Sequence, residues 1–405
     1  MSFAKASVRD ADVAGRRVLV RVDFNVPLED GEVADDMRIR ASLPTIELLR
    51  ERGAALVLVS HLGRPERGPD PALSMAPVGR RLAELAGVPV AQAPAVVGDE
   101  VEAMAAGLGE GDLMLLENSR FEPGETADDP ALARRLAALA DIYVNDAFGA
   151  SHRAHATTAG VAGLLPAYAG LLLEREVEHL TAVAEDPARP LVVLLGGAKV
   201  SDKIGVIDRF LEIADEILIG GAMCFCFFRA QGVPTGDSLV EDVGVAAAER
   251  ALRKAEGSDC RLVLPRDLVL GRSFDADTER RESDGVEVPD GWMGLDVGGA
   301  TAGDYAASVG KAGTVLWNGP MGAFELAPFA AGTRTVAEAV ADAPGTTVIG
   351  GGDSVAALRE FGLEDRVDWL STGGGASLEL LEGKPLPGVE ALLDAGAVPG
   401  EAARG

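Results

Sequence analysis

"LVVLLGGAKVSDKI", residues 191–204, runs five aliphatic residues into a glycine pair and then into the start of "DKIGVIDRFLEIA", residues 202–214, which is apolar at helical spacing. An unbroken apolar run of this length reads as a strand buried on both faces, and the stretch after the glycines reads as an amphipathic helix. The same strand, glycine turn and helix recur along the chain. "RRVLVRVDFN", "AALVLVSH", "DLMLLEN" and "DIYVNDA" repeat the strand before residue 150; "DEILIGG", "CRLVLPRDLVL", "GTVLWNGP", "TTVIGGGD" and "VDWLSTGGG" repeat it after residue 190. Helical spacing returns between them, as in "IRASLPTIELLRERG" and "PALARRLAALA". Strands alternating with helices predict parallel sheets covered on both faces, a doubly wound α/β fold.

The chain has 405 residues, enough for two domains. The joint falls in "LLLEREVEHLTAVAEDPARP", residues 171–190, a charged helix closed by a proline-flanked turn. The expected domains are residues 1–172 and 173–388, the second opening with this linker helix.

A formal charge of −27, from 64 acidic and 37 basic residues spread along the chain, gives a solvated acidic surface. Nucleic acid and anionic membranes need a basic face and are disfavoured as partners. Surplus carboxylates with only six lysines suggest adaptation to concentrated salt. Cys224, Cys226 and Cys260 lack zinc spacing and read as buried free thiols in a reducing compartment. The uncharged run from Ala156 to Leu173 is broken by glycines and Pro166, so it reads as core rather than a membrane span. No secretory leader is visible in "MSFAKASVRD", and the expectation is a soluble, cytoplasmic monomer.

Open α/β sheets bind ligands at the carboxyl ends of their strands, and the unusual polar residues fall there. The first half places Arg21, Asp23 and Asn25, then His61 and Arg64, then Arg120, then His152, Arg153 and His155 at strand ends, with Arg38 just before a helix. Five arginines on one rim of an acidic protein predict a positive basin for a small anion carrying carboxylate and phosphate. The second half has glycines instead: "LLGGAK", "IGGAM", "WNGPMGAFE", "VIGGGDS" and "STGGGAS". Glycine lets backbone amides approach phosphates, so these turns predict a nucleotide platform. The P-loop, protein-kinase and dinucleotide fingerprints are all missing. Lys199 and Lys203, four apart at a helix start, are expected to share one face and to follow a moving phosphoryl group as point charges.

Together "RVDFNVP", "SHLGRP", "ENSRF", "NDAFGASHRAH", "LGGAKVSDKI", "NGPMGAFE", "GGGDSVAA" and "STGGGASLELLEG" closely resemble the signatures of phosphoglycerate kinases, in that family's order. The resemblance implies two Rossmann-like domains joined by an interdomain helix, the tail 389–405 returning to the first. It implies that 3-phosphoglycerate or 1,3-bisphosphoglycerate binds at Asp23, Phe24, Asn25, Arg38, His61, Leu62, Gly63, Arg64, Arg120 and Arg153. ADP or ATP would bind at Lys203, Gly294, Glu325, Gly351, Gly352, Asp353 and Ser354, with Asp353 holding Mg2+. Arg38, Lys199, Lys203 and the glycine-led helix at Gly373, Gly374 and Gly375 would stabilise the phosphoryl group in flight. The chain departs from the pattern at Gly299-Ala300, at Trp369 and in "GGAMCFCFF". Two other readings fit the motifs less fully: a kinase for another small carboxylate, and a silent nucleotide-binding protein.

Overall fold

The structure is a computed structural model describing residues 3–66 and 68–397. Two compact units divide the chain: Met1–Glu178 with Pro385–Gly405, and His179–Lys384. The expected boundary at residue 172 thus lies a turn or two before the division, within the helix Leu171–Glu185.

The first unit is built on strands β1 (Arg17–Arg21), β2 (Leu28–Glu29), β3 (Glu32–Val33), β4 (Ala55–Val59), β5 (Val90–Gln92), β6 (Leu113–Leu115), β7 (Ile142–Asn145) and β8 (Ala167–Ala169). Six form one parallel sheet in the order β5-β6-β4-β1-β7-β8, while β2 and β3 pair as a small hairpin. β4 and β1 are buried throughout or nearly so, as their continuous apolar runs require. Val18, Val20, Leu56 and Leu58 join Ile39, Ile46 and Leu49 of helix Met37–Glu51 and Val78 and Leu82 of helix Ala76–Ala86 in one core. Each such side chain contributes roughly 1.5–3 kcal/mol on leaving water. The chain moves from β1 to one side and resumes at β7 on the other, so the loops after β1 and β7 open at a topological switch point. Residues 385–397 complete this unit: Ala6 donates its N–H to the Leu393 carbonyl at 2.7 Å, Leu393 donates to Ala167 at 3.0 Å, and the Asn145 amide donates to the Gly388 carbonyl at 2.8 Å. Residues 398–405 of the expected tail lie outside the described residues.

The second unit contains β9 (Leu191–Leu195), β10 (Glu216–Ile219), β11 (Arg261–Val263), β12 (Leu268–Gly271), β13 (Arg280–Ser283), β14 (Met293–Val297), β15 (Thr314–Asn318), β16 (Thr346–Gly350) and β17 (Trp369–Leu370). Its parallel sheet has the order β11-β10-β9-β15-β16-β17, the two-way winding of a dinucleotide-binding fold, with the switch between β9 and β15. A separate antiparallel sheet, β13-β12-β14, was not expected. "CRLVLPRDLVL" is consequently two strands, not one: it breaks around Pro265 and sends β11 and β12 into different sheets. Proline has no N–H for a ladder bond, which ends the first strand. The helix after β9 is Ile204–Ile213.

Candidate functional site

In the first unit the loops after β1, β4, β6 and β7 bring the expected anion-binding residues to the carboxyl edge of the sheet. The Arg38 guanidinium donates to Asp23 Oδ2 at 2.8 Å from the start of helix Met37–Glu51. Asp23 Oδ1 is buried, and within the described residues no hydrogen bond reaches it. Asn25 Oδ1 accepts from the Gly63 amide at 2.8 Å and so ties the β1 loop to the β4 loop. Asn118, fully buried, accepts from Leu62 N at 3.1 Å and from Arg120 N at 3.1 Å, which seats the β6 loop beside them. The Arg120 guanidinium donates to the Gly63 carbonyl, and Arg153 Nε donates to His152 Nε2 at 3.0 Å. Arg64 is exposed. Phe24 and Leu62 are core residues with buried side chains, so only their main chains are available to a ligand.

The crowded positive charge of this edge shifts the proton affinities of its side chains. His61 is held well below the usual imidazole range by burial and by the positive charges of Arg21, Arg120, Arg38 and Arg153. Burial and the neighbouring arginines Arg153, Arg21 and Arg64 lower Arg120 to about 10. Burial, then Arg21, Arg120 and Arg153, lowers His155 to about 4. Like charges crowded in this way make the edge a basin of positive potential.

In the second unit the two lysines part company. Helix Ile204–Ile213 begins only after both, so Lys199 and Lys203 do not share a helical face as expected. Lys199 is exposed in the bend after β9. Lys203 occupies the N-cap position, and its side chain turns back to the switch point, where Nζ donates to the carbonyls of Gly196 at 2.6 Å and Asn318 at 2.8 Å. Burial lowers its pKa to about 8, against the opposing pull of Asp353 and Asp202. Two of its three N–H groups are used. A side chain on Gly319 would stand 2.5 Å from Nζ, so glycine is required there, at φ +97°.

Beside it lies a cavity of about 790 Å³ walled by Gly197, Gly221, Phe225, Gly294, Pro320 and Met321, with Glu325 and Asp353 at its polar margin. Gly294 presents bare backbone because a Cβ would sit 2.1 Å from Phe225 Cζ. Asp353 is exposed in the first turn of helix Gly352–Glu360, which Gly351 caps at φ +86°. The Ser354 hydroxyl accepts from Gly319 N at 2.6 Å and fixes the β15 loop. Gly374, at φ +53°, caps the short helix Gly375–Leu381. Trp369 stacks on His179 with ring centroids 4.4 Å apart, and Gly299 and Ala300 open the helix Gly299–Val309.

Some structural groups were missed in the sequence. Glu125 and Thr157 are buried behind the arginines, Asp146 caps helix Leu171–Glu185, and Asp296 lines the cavity wall. Their motifs looked like ordinary surface acids and loop residues, and no signal in the sequence sets them apart.

The pattern that defines the family described as "Phosphoglycerate kinase" matches residues 8–384. The phosphoglycerate kinase of Roseiflexus sp. (strain RS-1) is 54% identical over 397 residues, covering 97% of this chain and all of that one. That of Rubrobacter xylanophilus is 55% identical over 388 residues, covering 96% and 98%. The solved phosphoglycerate kinase of Coxiella burnetii superposes with a TM-score of 0.85 at 39% identity, covering 96% of this chain and 98% of that one. That of Pyrococcus horikoshii gives 0.81 at 32% identity, with the same coverage. The chain belongs to the phosphoglycerate kinase family.

Proposed function

We propose that the arginine-rich edge of the first unit holds the glycerate ligand, that the glycine-walled cavity of the second holds the nucleotide, and that the reaction needs no general base. The enzyme moves a phosphoryl group reversibly between 1,3-bisphosphoglycerate and ADP, giving 3-phosphoglycerate and ATP. The oxygens that exchange this group are anionic at neutral pH, so catalysis reduces to in-line placement and charge neutralisation. The reading rests on one observation, the division of polar chemistry between the units. Four guanidinium charges act on His61 in the first, whereas the second offers a largely apolar cavity beside one buried ammonium.

The donor sets support the residue roles that the family resemblance implies. Arg38, His61, Arg64, Arg120 and Arg153 face carboxylate and phosphate, while the orphaned Oδ1 of Asp23 suits the hydroxyl of a glycerate. Asn25 and Gly63 shape the floor through their mutual hydrogen bond. Lys203 keeps one N–H for a phosphate, and Lys199 adds an exposed charge. Gly351, Gly352 and the amides led by Gly374 and Gly375 offer backbone donors, and Ser354 holds their neighbour in place. Gly294 and Glu325 border the base and sugar. Among the described residues no three His, Cys, Asp or Glu side chains form a cage for a cation. That fits Mg2+ held by one carboxylate, Asp353, together with substrate phosphates. When bound, the ion supplies charge neutralisation between phosphate oxygens.

Acyl-phosphate trapping by hydroxylamine, with ATP, 3-phosphoglycerate and Mg2+, tests these assignments through a split in KM. R153A is expected to raise KM for 3-phosphoglycerate alone, and D353A to raise KM for ATP alone. An exchange of the two effects would overturn the placement of the ligands. The chain is further read as a cytoplasmic monomer adapted to high salt. Support for the salt adaptation comes from its acidic composition. Sedimentation in dilute buffer and in molar KCl tests this, and a dimer in both would refute the monomer.

A further inference from the structure

Behind the arginine-rich edge Glu125, Thr157 and Arg21, which none of the proposed ligand contacts uses, form a buried chain that ends on the ligand-facing His61. Glu125 is 1% exposed, Thr157 0%, Arg21 1% and His61 7%. The Thr157 hydroxyl donates to Glu125 Oε1 at 2.5 Å and accepts from Arg21 Nε at 2.9 Å. Glu125 Oε2 accepts from Thr157 N at 3.1 Å, and Tyr143 donates its hydroxyl to the Thr157 carbonyl at 2.8 Å, so the threonine is fixed from three sides. Arg21 in turn places Nη2 3.0 Å from His61 Nδ1.

A guanidinium has no acceptor, so His61 Nδ1 must be the bare lone-pair nitrogen of a neutral ring. The ring proton then resides on Nε2, which no hydrogen bond engages among the described residues. We propose that Glu125 and Thr157 are positioning residues that, through Arg21, lock His61 as its Nε2–H tautomer and so keep a neutral donor ready for the glycerate ligand. The proposal rests on the placement of that ligand in the first unit. A buried glutamate is suited to this task because it balances the Arg21 charge without contributing a group to the ligand side. Protonation of His61 is unfavourable beside Arg21, Arg38, Arg120 and Arg153, with Asp23 Oδ1 4.0 Å from Nδ1 as the nearest opposing charge. A neutral ring whose hydrogen is fixed can discriminate by geometry where the arginines attract by charge.

Thr157→Val keeps the shape and removes the hydroxyl that links Glu125 to Arg21, and Thr157→Ser restores it. Long-range 1H–15N NMR of the imidazoles, in the protein without ligand, reads the tautomer directly. The wild type is expected to show a pure Nε2–H pattern for His61, T157V a mixture, and T157S the wild-type pattern. KM for 3-phosphoglycerate is expected to rise about fivefold in T157V, the factor that applies if about a fifth of the rings keep the donor tautomer, with KM for ATP unchanged. A pure Nε2–H pattern in folded T157V, or a mixture in the wild type, would overturn the relay. Addition of 3-phosphoglycerate to the wild type reads the ligand placement separately: a displaced His61 Nε2 resonance supports it, and an unmoved one refutes it whatever the tautomer shows.

Discussion

Lys203 shows how one side chain can be conspicuous in sequence and still surprising in structure. Its scarcity marked it, but nothing in the letters foretold that it would turn away from its helix and donate to the Gly196 and Asn318 carbonyls. With Arg38 it is expected to carry the charge demand of the reaction. K203A and R38A should each lower kcat on the order of a hundred- to a thousandfold, as loss of a preorganised charge donor does elsewhere; stopped-flow turnover at saturating substrates is the check. Burial lowers Lys203 to about 8, so at alkaline pH binding of an anionic nucleotide is expected to draw a proton onto it. Calorimetry at pH 8.5 in buffers of different ionisation enthalpy should therefore show proton uptake that disappears in K203A. The candidate arginines and histidines were legible because they interrupt apolar strand ends. Glu125 was not, because one carboxylate among 64 acidic residues carries no mark until its burial is known.

Elements were legible where large aliphatic residues run together. β1, β4, β9, β15 and β16 declare themselves, as does the three-residue β6, whereas β5 and β8 hold too few large aliphatic residues to stand out and the five-residue β14 is interrupted by Gly294 and Asp296. The sheet β13-β12-β14 was hidden because β12 comes after a proline inside a stretch that reads as one run. Helix Leu171–Glu185 was anticipated, yet its anchoring was not. Leu171 N donates to Thr45 Oγ1 at 2.9 Å and Leu172 N to Asp146 Oδ1 at 2.9 Å. A Cβ at Gly170 would stand 2.1 Å from Asp146 Oδ1, so G170A is expected to destabilise the protein by roughly 1–3 kcal/mol, as overpacking does, and to lower the melting midpoint. Burial raises Asp146 to about 7, against the hydrogen bonds from Thr45, Leu172 and Leu173. A carboxyl raised in the folded state contributes stability that is whole below its unfolded value near 3.8 and is lost as pH rises through 7. Denaturant melts between pH 4 and 7 should show this as a decline of at most about 1.4 kcal/mol per unit from this group. An equal slope in D146N would assign the decline elsewhere.

At the scale of the molecule, charge and chain path matter most. A net −27 repels itself, and 1 M KCl should screen that repulsion and raise the melting midpoint relative to dilute buffer; an unchanged midpoint would argue against the salt-adapted reading. With the glycerate ligand and the nucleotide on separate units, as proposed, phosphoryl transfer requires their reacting oxygens to come within bonding reach. Small-angle scattering with both ligands bound should then give a smaller radius of gyration than with either alone. The two-domain plan was legible because both sheets repeat one βα unit, and what stayed hidden was where each unit ends, since helix Leu171–Glu185 has no break in its pattern. The first unit also takes its last piece from far along the chain: residues 385–397 bridge Lys5 to Asp394 and pack beside Ala167. On a ribosome that piece emerges only after the whole of His179–Lys384, so the unit begun first is the one finished last. Until then the nascent amino-terminal fold lacks the partners that residues 385–397 supply to Ala6, Asn145 and Ala167.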